Sequence, residues 1–390
     1  MMRCCTSTTC PTTTLDRNQG GRLTNAVLFG GPAPEHDISI LTGLLALHEL
    51  QRTEPSTIAI YWSKTGDFYE VPASVEPEHF LEGLPKGAAE LTLRLGRDGG
   101  FYATGSRLGK DKALELDAVV LATHGGPGED GSLQAALDLA GINYTGPTVA
   151  GASLGMDKWA FGSMVANAGL PTLPRLLLGP DTVEIPFAGP YILKPRFGGS
   201  SIGIDVVADL ATAKARLSAN PHFALGCVVE PYRADLFDIQ IALRTYPELD
   251  LSAIEKPIRR NDRAEILDYK DKYVGGEGMV SAPRELPATL PGNQGDAVRK
   301  YATEVARIAG VRGVARIDFL ANDHELFINE INTIPGSLSK HLFVEPPLPF
   351  SQLLGDLLRE ARERPAHRYS AAGADGLVLR SAGSIASKLA

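Results

Sequence analysis

The chain has 390 residues, 44% of them apolar and 22% charged, and a formal net charge of −8. These proportions are those of an ordinary globular protein of two or three domains. The acidic balance argues against nucleic acid as the main partner, and no apolar run approaches the roughly 20 residues that span a bilayer, so no membrane association is expected.

Residues 1–23 are Thr-rich, lack the apolar centre of a secretory signal and offer nothing to pack, so a disordered extension is expected. Cys4, Cys5 and Cys10 fall short of the four ligands of a tetrahedral zinc site. Cys227, the fourth cysteine, lies in a strand-like run and reads as core. Without a disulfide framework the expected compartment is the cytoplasm.

Residues 25–29 (NAVLF) read as a buried strand ending in Gly30-Gly31. Glu35-His36-Asp37 follow, then a helix over 38–50 with apolar residues at helical spacing. Strand, glycine turn and helix open a doubly wound unit, whose ligands sit at the carboxyl ends of strands. Further strands are expected at 57–62 and 116–123. The second runs into HGGPGEDG, residues 124–131, and then a helix over 132–139. Glu35 and His124 stand where a small polar substrate would be presented, although acidic residues also favour helix starts, and both readings stay open. The spaced glycines of a dinucleotide fingerprint are absent.

The character changes near Pro147. A helix is expected from Met156-Asp157-Lys158 to Ala168, a strand at 191–194, the loop RFGGSSIG at 196–203, and a strand from Ile204. Backbone amides in such a loop suit phosphate binding, and a plain turn remains open because glycine marks turns generally. It is not a Walker A loop, since the Lys-Ser/Thr pair is missing and a strand follows. A strand at 227–229 delivers Glu230, and strands at 239–244 and 254–258 come next. The charged, Gly-rich segment 259–278, containing DYKDKY at 268–273, has the length of a functional lid. Residues 283–291 read as a linker, and 296–310 as an amphipathic helix.

GVARIDFLANDHELFINEINTIPG, residues 313–336, reads as two strands, 314–320 and 326–331, joined by a polar turn. Strand side chains alternate between faces. One hairpin register sets Asp318 opposite Glu330 and Arg316 opposite Asn332, and pairs Ile317 with Ile331 toward a core. Two carboxylates, an amide oxygen and a guanidinium then share a face. Such oxygen ligands suit magnesium, which takes one or two carboxylates plus substrate phosphates; a salt bridge on a half-buried sheet is the alternative. A last helix is expected over 351–362, and from Arg364 a small, polar, loosely held tail.

Together, FGGPAPEHDIS (29–39), HGGPGEDGSLQ (124–134), TGPTVAGASLGMDK (145–158), LKPRFGGSSIG (193–203), DYKDKY (268–273) and ARIDF with NEINTIPG (315–336) resemble the D-alanyl-D-alanine ligases of the ATP-grasp group. The resemblance runs from about Asn25 to about Arg362. It implies an α/β fold: an N-terminal doubly wound parallel-sheet domain plus two α+β subdomains sandwiching ATP. The implied divisions are 24–150 for the substrate-binding domain, 151–230 for the central subdomain, 231–364 for the C-terminal subdomain with metal site and lid, and 365–390 for a flexible tail.

The resemblance also implies an ADP-forming amide synthesis. The carboxylate of a first D-amino acid attacks the γ-phosphate, and the amine of a second displaces phosphate from the acyl phosphate. By match to the family's motifs, Lys158, Lys194 and Lys272 contact the phosphates of ATP under the Ser200-Ser201 loop. Asp318, Glu330 and Asn332 hold two magnesium (or manganese) ions. Arg316 stabilises the oxyanion, a role with large leverage in a dry site. Glu35 holds the first ammonium, His124 lies beside that substrate, Ser200 and Tyr273 latch the lid, and Glu230 begins the adenine-contacting segment. The Gly336 amide lies by the second carboxylate. Family members are commonly dimers, so a homodimer acting on small amino acids is implied.

Two positions depart from the family pattern. Asp238 stands for the glutamate expected to join the latch serine and tyrosine. His341-Leu342 stands where the family has a Ser-Leu step that helps hold the second substrate. Histidine is bulkier and titrates near neutrality, which implies an acceptor other than D-alanine or one bound differently. A degenerate ATP-binding regulator would have no need of Arg316, and a dehydrogenase lacks its fingerprint.

Overall fold

The computed structural model describes residues 24–105, 110–258, 283–366 and 370–389. Among them no helix is long and apolar enough to cross a membrane. Three sheets carry the chain.

The first sheet grows around β1 (Thr24–Gly30), whose Ala26 to Phe29 side chains are fully buried. β1 pairs in parallel with β2 (Ile58–Trp62) on one side and β7 (Leu116–Leu121) on the other. Strands buried on both faces read as continuous apolar runs, which is why these three stand out in the sequence. Helix α1 (His36–Thr53) covers one face with Ile40, Leu44 and Leu47. Beyond β2 the sheet continues as an antiparallel meander of β3 (Phe68–Val71), β4 (Ala89–Arg94), β5 (Gly100–Ala103) and β6 (Lys112–Ala113). The doubly wound part is thus three strands wide, and the meander was not expected. Its strands are short and largely exposed, so they carry little apolar patterning.

Helix α2 (Ser132–Leu139) follows β7. Helices α3 (Val149–Met156) and α4 (Lys158–Asn167) meet at Asp157. The expected helix start at Met156 is corrected here: Asp157 is extended, and its Oδ1 accepts from the Trp159 and Ala160 amides, capping α4. The second sheet, antiparallel throughout, has the order β10 (Asp205–Val207), β9 (Tyr191–Pro195), β11 (Cys227–Pro231), β8 (Leu176–Leu178). Helix α5 (Leu210–Ala219) covers it over Leu193, Val207, Ala213 and Cys227. Burial pushes the Cys227 thiol up to about 12, as befits a core residue.

The third sheet has the order β14 (Arg284–Glu285), β13 (Asp250–Pro257), β12 (Phe237–Arg244), β15 (Val314–Ala321), β16 (Leu326–Asn332). The expected linker over 283–291 therefore contains a short edge strand. Ile239, Ile241, Ile317 and Ile331 pack against α4 and helix α6 (Gln294–Ile308). After β16 the chain enters the first core, where Ile334, Leu338 and Leu342 are buried. Helix α7 (Phe350–Glu363) packs there with Leu353, Leu354, Leu357 and Leu358. Short helices α8 (Leu377–Ser381) and α9 (Ala386–Leu389) lie in the tail, with Leu377 and Leu379 exposed.

α7 also buries charge. Asp356 accepts from Arg244 and Arg359, and Glu360 accepts from the Gly313 amide and the Thr245 hydroxyl. Arg312 donates to the carbonyls of Tyr144, Gly146 and Arg364. These contacts pin the start of β15 to the loop that leaves the first sheet. Removing one partner leaves a buried charge uncompensated. Asp356→Ala should therefore lose about 3 kcal/mol of stability, since Arg244 keeps only Asp250 at 3.2 Å. Urea unfolding with an unchanged m-value is the measurement.

Candidate active site

The β15–β16 register pairs Arg316 with Asn332, Ile317 with Ile331 and Asp318 with Glu330. Ile317 and Ile331 point into the third core, so the polar set faces the opposite way. Arg316 grips Asp318 with both prongs, Nε to Oδ1 at 2.6 Å and Nη2 to Oδ2 at 2.8 Å. Asn332 Nδ2 donates to Asp318 Oδ2 at 3.1 Å. Past Asp318 the register shifts by one and Phe319 faces Ile328. The extra residue is Asn329, and the bulge re-aims its side chain, whose Oδ1 accepts from Lys194.

Lysines come from the other side of the cleft. Lys158, first residue of α4, lies 3.3 Å from Glu330 and donates to the Gly198 carbonyl. Lys194, near the end of β9, donates to Glu230 at 2.7 Å. Arg175 approaches the other Glu230 oxygen at 2.8 Å and donates to the carbonyls of Lys158 and Asn329. Burial alone would raise the Glu230 carboxyl. Arg175, and then Lys194, outweigh it and hold the group below its ordinary value. Lys158, Lys194, Glu230, Asp318, Asn329 and Glu330 wall an open cleft, floored by Leu173, Ile192, Ile202, Ile204, Leu236 and Leu320. An apolar floor beneath a few convergent charges is the lining of a small-molecule site.

The loop between β9 and β10 bends over this cleft. Ser200 and Ser201 lie in the left-handed region, at φ 52° and 59°, each at a cost of about 1 kcal/mol. Ser200 Oγ donates to Glu35 across the gap to the first sheet. Gly199 lies close against Glu35: a Cβ there would stand 2.9 Å from the carboxylate, which would have to shift to admit one. Glu35 occupies the cap position of α1 and makes no cap bond; it faces the loop instead.

A second contact runs through His124. Its Nδ1–H donates to the Ile334 carbonyl at 2.8 Å, so Nε2 accepts from the Thr42 hydroxyl at 2.8 Å. Thr42 Oγ1 in turn accepts from the Ser337 amide. This chain supports a left-handed turn, Ser337 to Ser339, just after Gly336. Burial holds the His124 imidazole at about 4, so it is neutral at physiological pH. Nearby, Glu129 Oε2 accepts from the Gly125 amide at 3.0 Å, and Oε1 from the Ile334 amide at 3.2 Å. Burial, and then the charge of Glu35, push its carboxyl up to about 7.

Family models match along the chain: "D-ala D-ala ligase N-terminus" over residues 24–147 and "D-ala D-ala ligase C-terminus" over 180–358. A D-alanine–D-alanine ligase of Wolinella succinogenes is 30% identical over 347 residues, 88% of this chain and 96% of the relative. The chain belongs to the D-alanine–D-alanine ligase family. A further ligase, from Nitratiruptor, is 32% identical and covers 82% of this chain and 89% of its own. The Helicobacter pylori D-alanine–D-alanine ligase structure superposes with a TM-score of 0.68 at 25% identity, covering 89% of this chain and 100% of that one. The VanG D-Ala:D-Ser ligase of Enterococcus faecalis reaches 0.73 at 23% identity, over 87% of this chain and 100% of that one, and shares the fold.

The ligase-like positions are not all brought together. Glu35, His124, Lys158, Lys194, Ser200, Ser201, Glu230, Arg316, Asp318, Glu330, Asn332 and Gly336 line or border the cleft and its seam with the first sheet. Asp238 lines the cleft, as does Ser200, whose hydroxyl donates to Glu35. The sequence hid this because Glu35 and Ser200 are 165 residues apart. Leu342 is fully buried in the first core. His341 lies 3.3 Å from Glu255, which Arg284 also pairs at 2.9 Å. Lys272, Tyr273 and the rest of the expected lid lie outside the described residues. Asn329, Arg175, Thr42 and Glu129 were missed. For Asn329 a signal existed: two adjacent polar residues in FINEIN break strand alternation, as a bulge does.

His124 gives a pH prediction. It stays neutral in the folded protein down to about pH 4, whereas unfolded it protonates near its ordinary 6.5. Between those values the unfolded chain binds more protons, so this group makes stability fall as pH drops through that window and adds no slope above it. In His124→Gln that part of the slope should vanish, as read from urea midpoints at about pH 5 and about pH 7.

Proposed function

We propose that this protein joins two molecules of D-alanine into D-alanyl-D-alanine with conversion of ATP to ADP, supplying a peptidoglycan precursor in the cytoplasm. The observation that carries the reading is the meeting of Asp318 and Glu330 with Lys158 and Lys194 in one cleft, with Arg316 and Asn332 bonded to Asp318 beside it, in a chain of the ligase family.

Phosphoryl transfer is mostly positioning and charge neutralisation. Lys158 and Lys194 face the phosphates, and the amides of Gly198 to Ser201 close over them, an arrangement suited to anions. The apolar floor takes the base. Asp318, Glu330 and the Asn332 amide offer oxygen donors alone, which fits magnesium; two carboxylates suffice because phosphate oxygens complete its shell. Bound there, one or two divalent cations would neutralise charge on the β- and γ-phosphates. Glu35 orients the first ammonium. The first carboxylate attacks the γ-phosphorus as the bond to ADP breaks. The second amine then attacks the acyl carbon, Arg316 stabilises the oxyanion, and inorganic phosphate leaves. The family pattern further suggests a homodimer.

A second reading is favoured by one feature. His341 lies over the same sheet face, held by a buried Glu255 whose charge His341 and Arg284 sustain against burial. A ligase of this construction would take an acceptor other than D-alanine.

With ATP, magnesium and D-alanine, the purified protein should release phosphate, and mass detection should find D-alanyl-D-alanine. If other amines outcompete D-alanine as acceptor, the second reading replaces the first. Glu330→Gln should reduce turnover by about 100-fold or more and weaken the dependence on magnesium. A normal magnesium titration in that variant would remove Glu330 from the ligand set.

A further inference from the structure

The carboxylates of the site divide into two kinds. Asp318, Glu330, Glu230 and Glu255 each lie against a cation, and Glu35 accepts from Ser200. Glu129 differs. Its hydrogen bonds come from two backbone amides and, at 3.5 Å, the Thr333 hydroxyl, and among the described residues it has no ion-pair partner.

Its position is specific. Ile334, whose amide holds Oε1, lies two residues before Gly336, by which the second amino acid's carboxylate is placed. Gly125, whose amide holds Oε2, lies against Glu35, which is placed at the first ammonium: a Cβ at Gly125 would stand 2.3 Å from Glu35 Oε2. Glu129 thus stands between the two amino-acid positions. We propose that Glu129 is the base that removes a proton from the ammonium of the second amino acid. This rests on the ligase reading above.

An α-ammonium has no lone pair and cannot attack. Transfer of one proton to the Glu129 carboxylate frees the amine. The nitrogen pair then forms the C–N bond at the acyl carbon, the C–O bond to phosphate breaks, and phosphate leaves carrying the second proton. Glu129 returns its proton to solvent. A base works best with affinity near the operating pH, and Glu129 is pushed up to about 7 by burial and Glu35, against the pull of Lys158. The other charged groups around it are engaged: Lys158 with Glu330, Arg316 with Asp318, and Asp130 with the Ser132 amide. His124, on the same loop, is neutral.

Hydroxylamine separates the steps, because it is already neutral at pH 7 and traps the acyl phosphate as a hydroxamate. Glu129→Gln, whose amide oxygen still accepts from Ile334, should make dipeptide about 100-fold more slowly and hydroxamate within about twofold of the parent. In the parent, kcat/KM for the amino-acid acceptor should fall below about pH 7, with no such limb for hydroxylamine; this comparison needs no variant. Equal loss of both products in Glu129→Gln, or the same acidic limb with both acceptors, would overturn the proposal. A parent that forms neither ADP nor hydroxamate would instead overturn the ligase reading beneath it.

Discussion

The register of the β15–β16 hairpin is the constraint on which the site depends. Side chains alternate along a strand, so slipping the pairing by one residue exchanges the two faces. Here a slip would bring Arg316 and Asp318 into the core and put Ile317 and Ile331 into water. Burial of the two isoleucines therefore holds Asp318 opposite Glu330. The single bulge after Asp318 keeps this pairing and adds Asn329 to the polar side. Hydrophobic burial, which has no directional preference, acquires direction from the strand and sets the charged residues to within a bond length.

Around that hairpin the molecule buries charge in pairs. Glu230 lies between Arg175 and Lys194, and Asp356 between Arg244 and Arg359. Apolar replacements of such pairs are often as stable, so their presence needs another reason. In the cleft the reason is chemical. In the proposed reaction Lys194 faces a polyanion, and Glu230 and Asn329 hold its long side chain. Under α7 the reason is geometric, since Asp356, Glu360 and Arg312 fix how the first sheet and the third meet.

How much of this could be read from sequence follows from the range of each interaction. The buried strands of the first sheet, helix α2 and the hairpin register are local patterns, and each was legible. The sum of paired residue numbers was enough to set Asp318 against Glu330. The meander β3–β6 was not legible, because half-exposed strands lack an apolar signature. Nor were Arg175 and Thr42, which look like ordinary surface and helix residues until the chain folds. Their partners lie 154 and 295 positions away, at Asn329 and Ser337. The Ser200–Glu35 contact was illegible for the same reason: a motif match gives the residue type at a site, whereas the partner of Ser200 is decided by how two sheets approach.

That approach has a thermodynamic consequence. In the proposed reaction Glu35 serves the first amino acid and Ser200 lies in the loop over the phosphates, and one hydrogen bond joins the two residues. Two ligands that meet through one shared contact are linked: if an arriving ammonium strengthens or competes with that bond, the nucleotide must sense the amino acid by the same factor by which the amino acid senses the nucleotide. On the proposed function, the Ser200–Glu35 contact would make cooperativity between the substrates a property of the resting architecture, present before any chemistry begins.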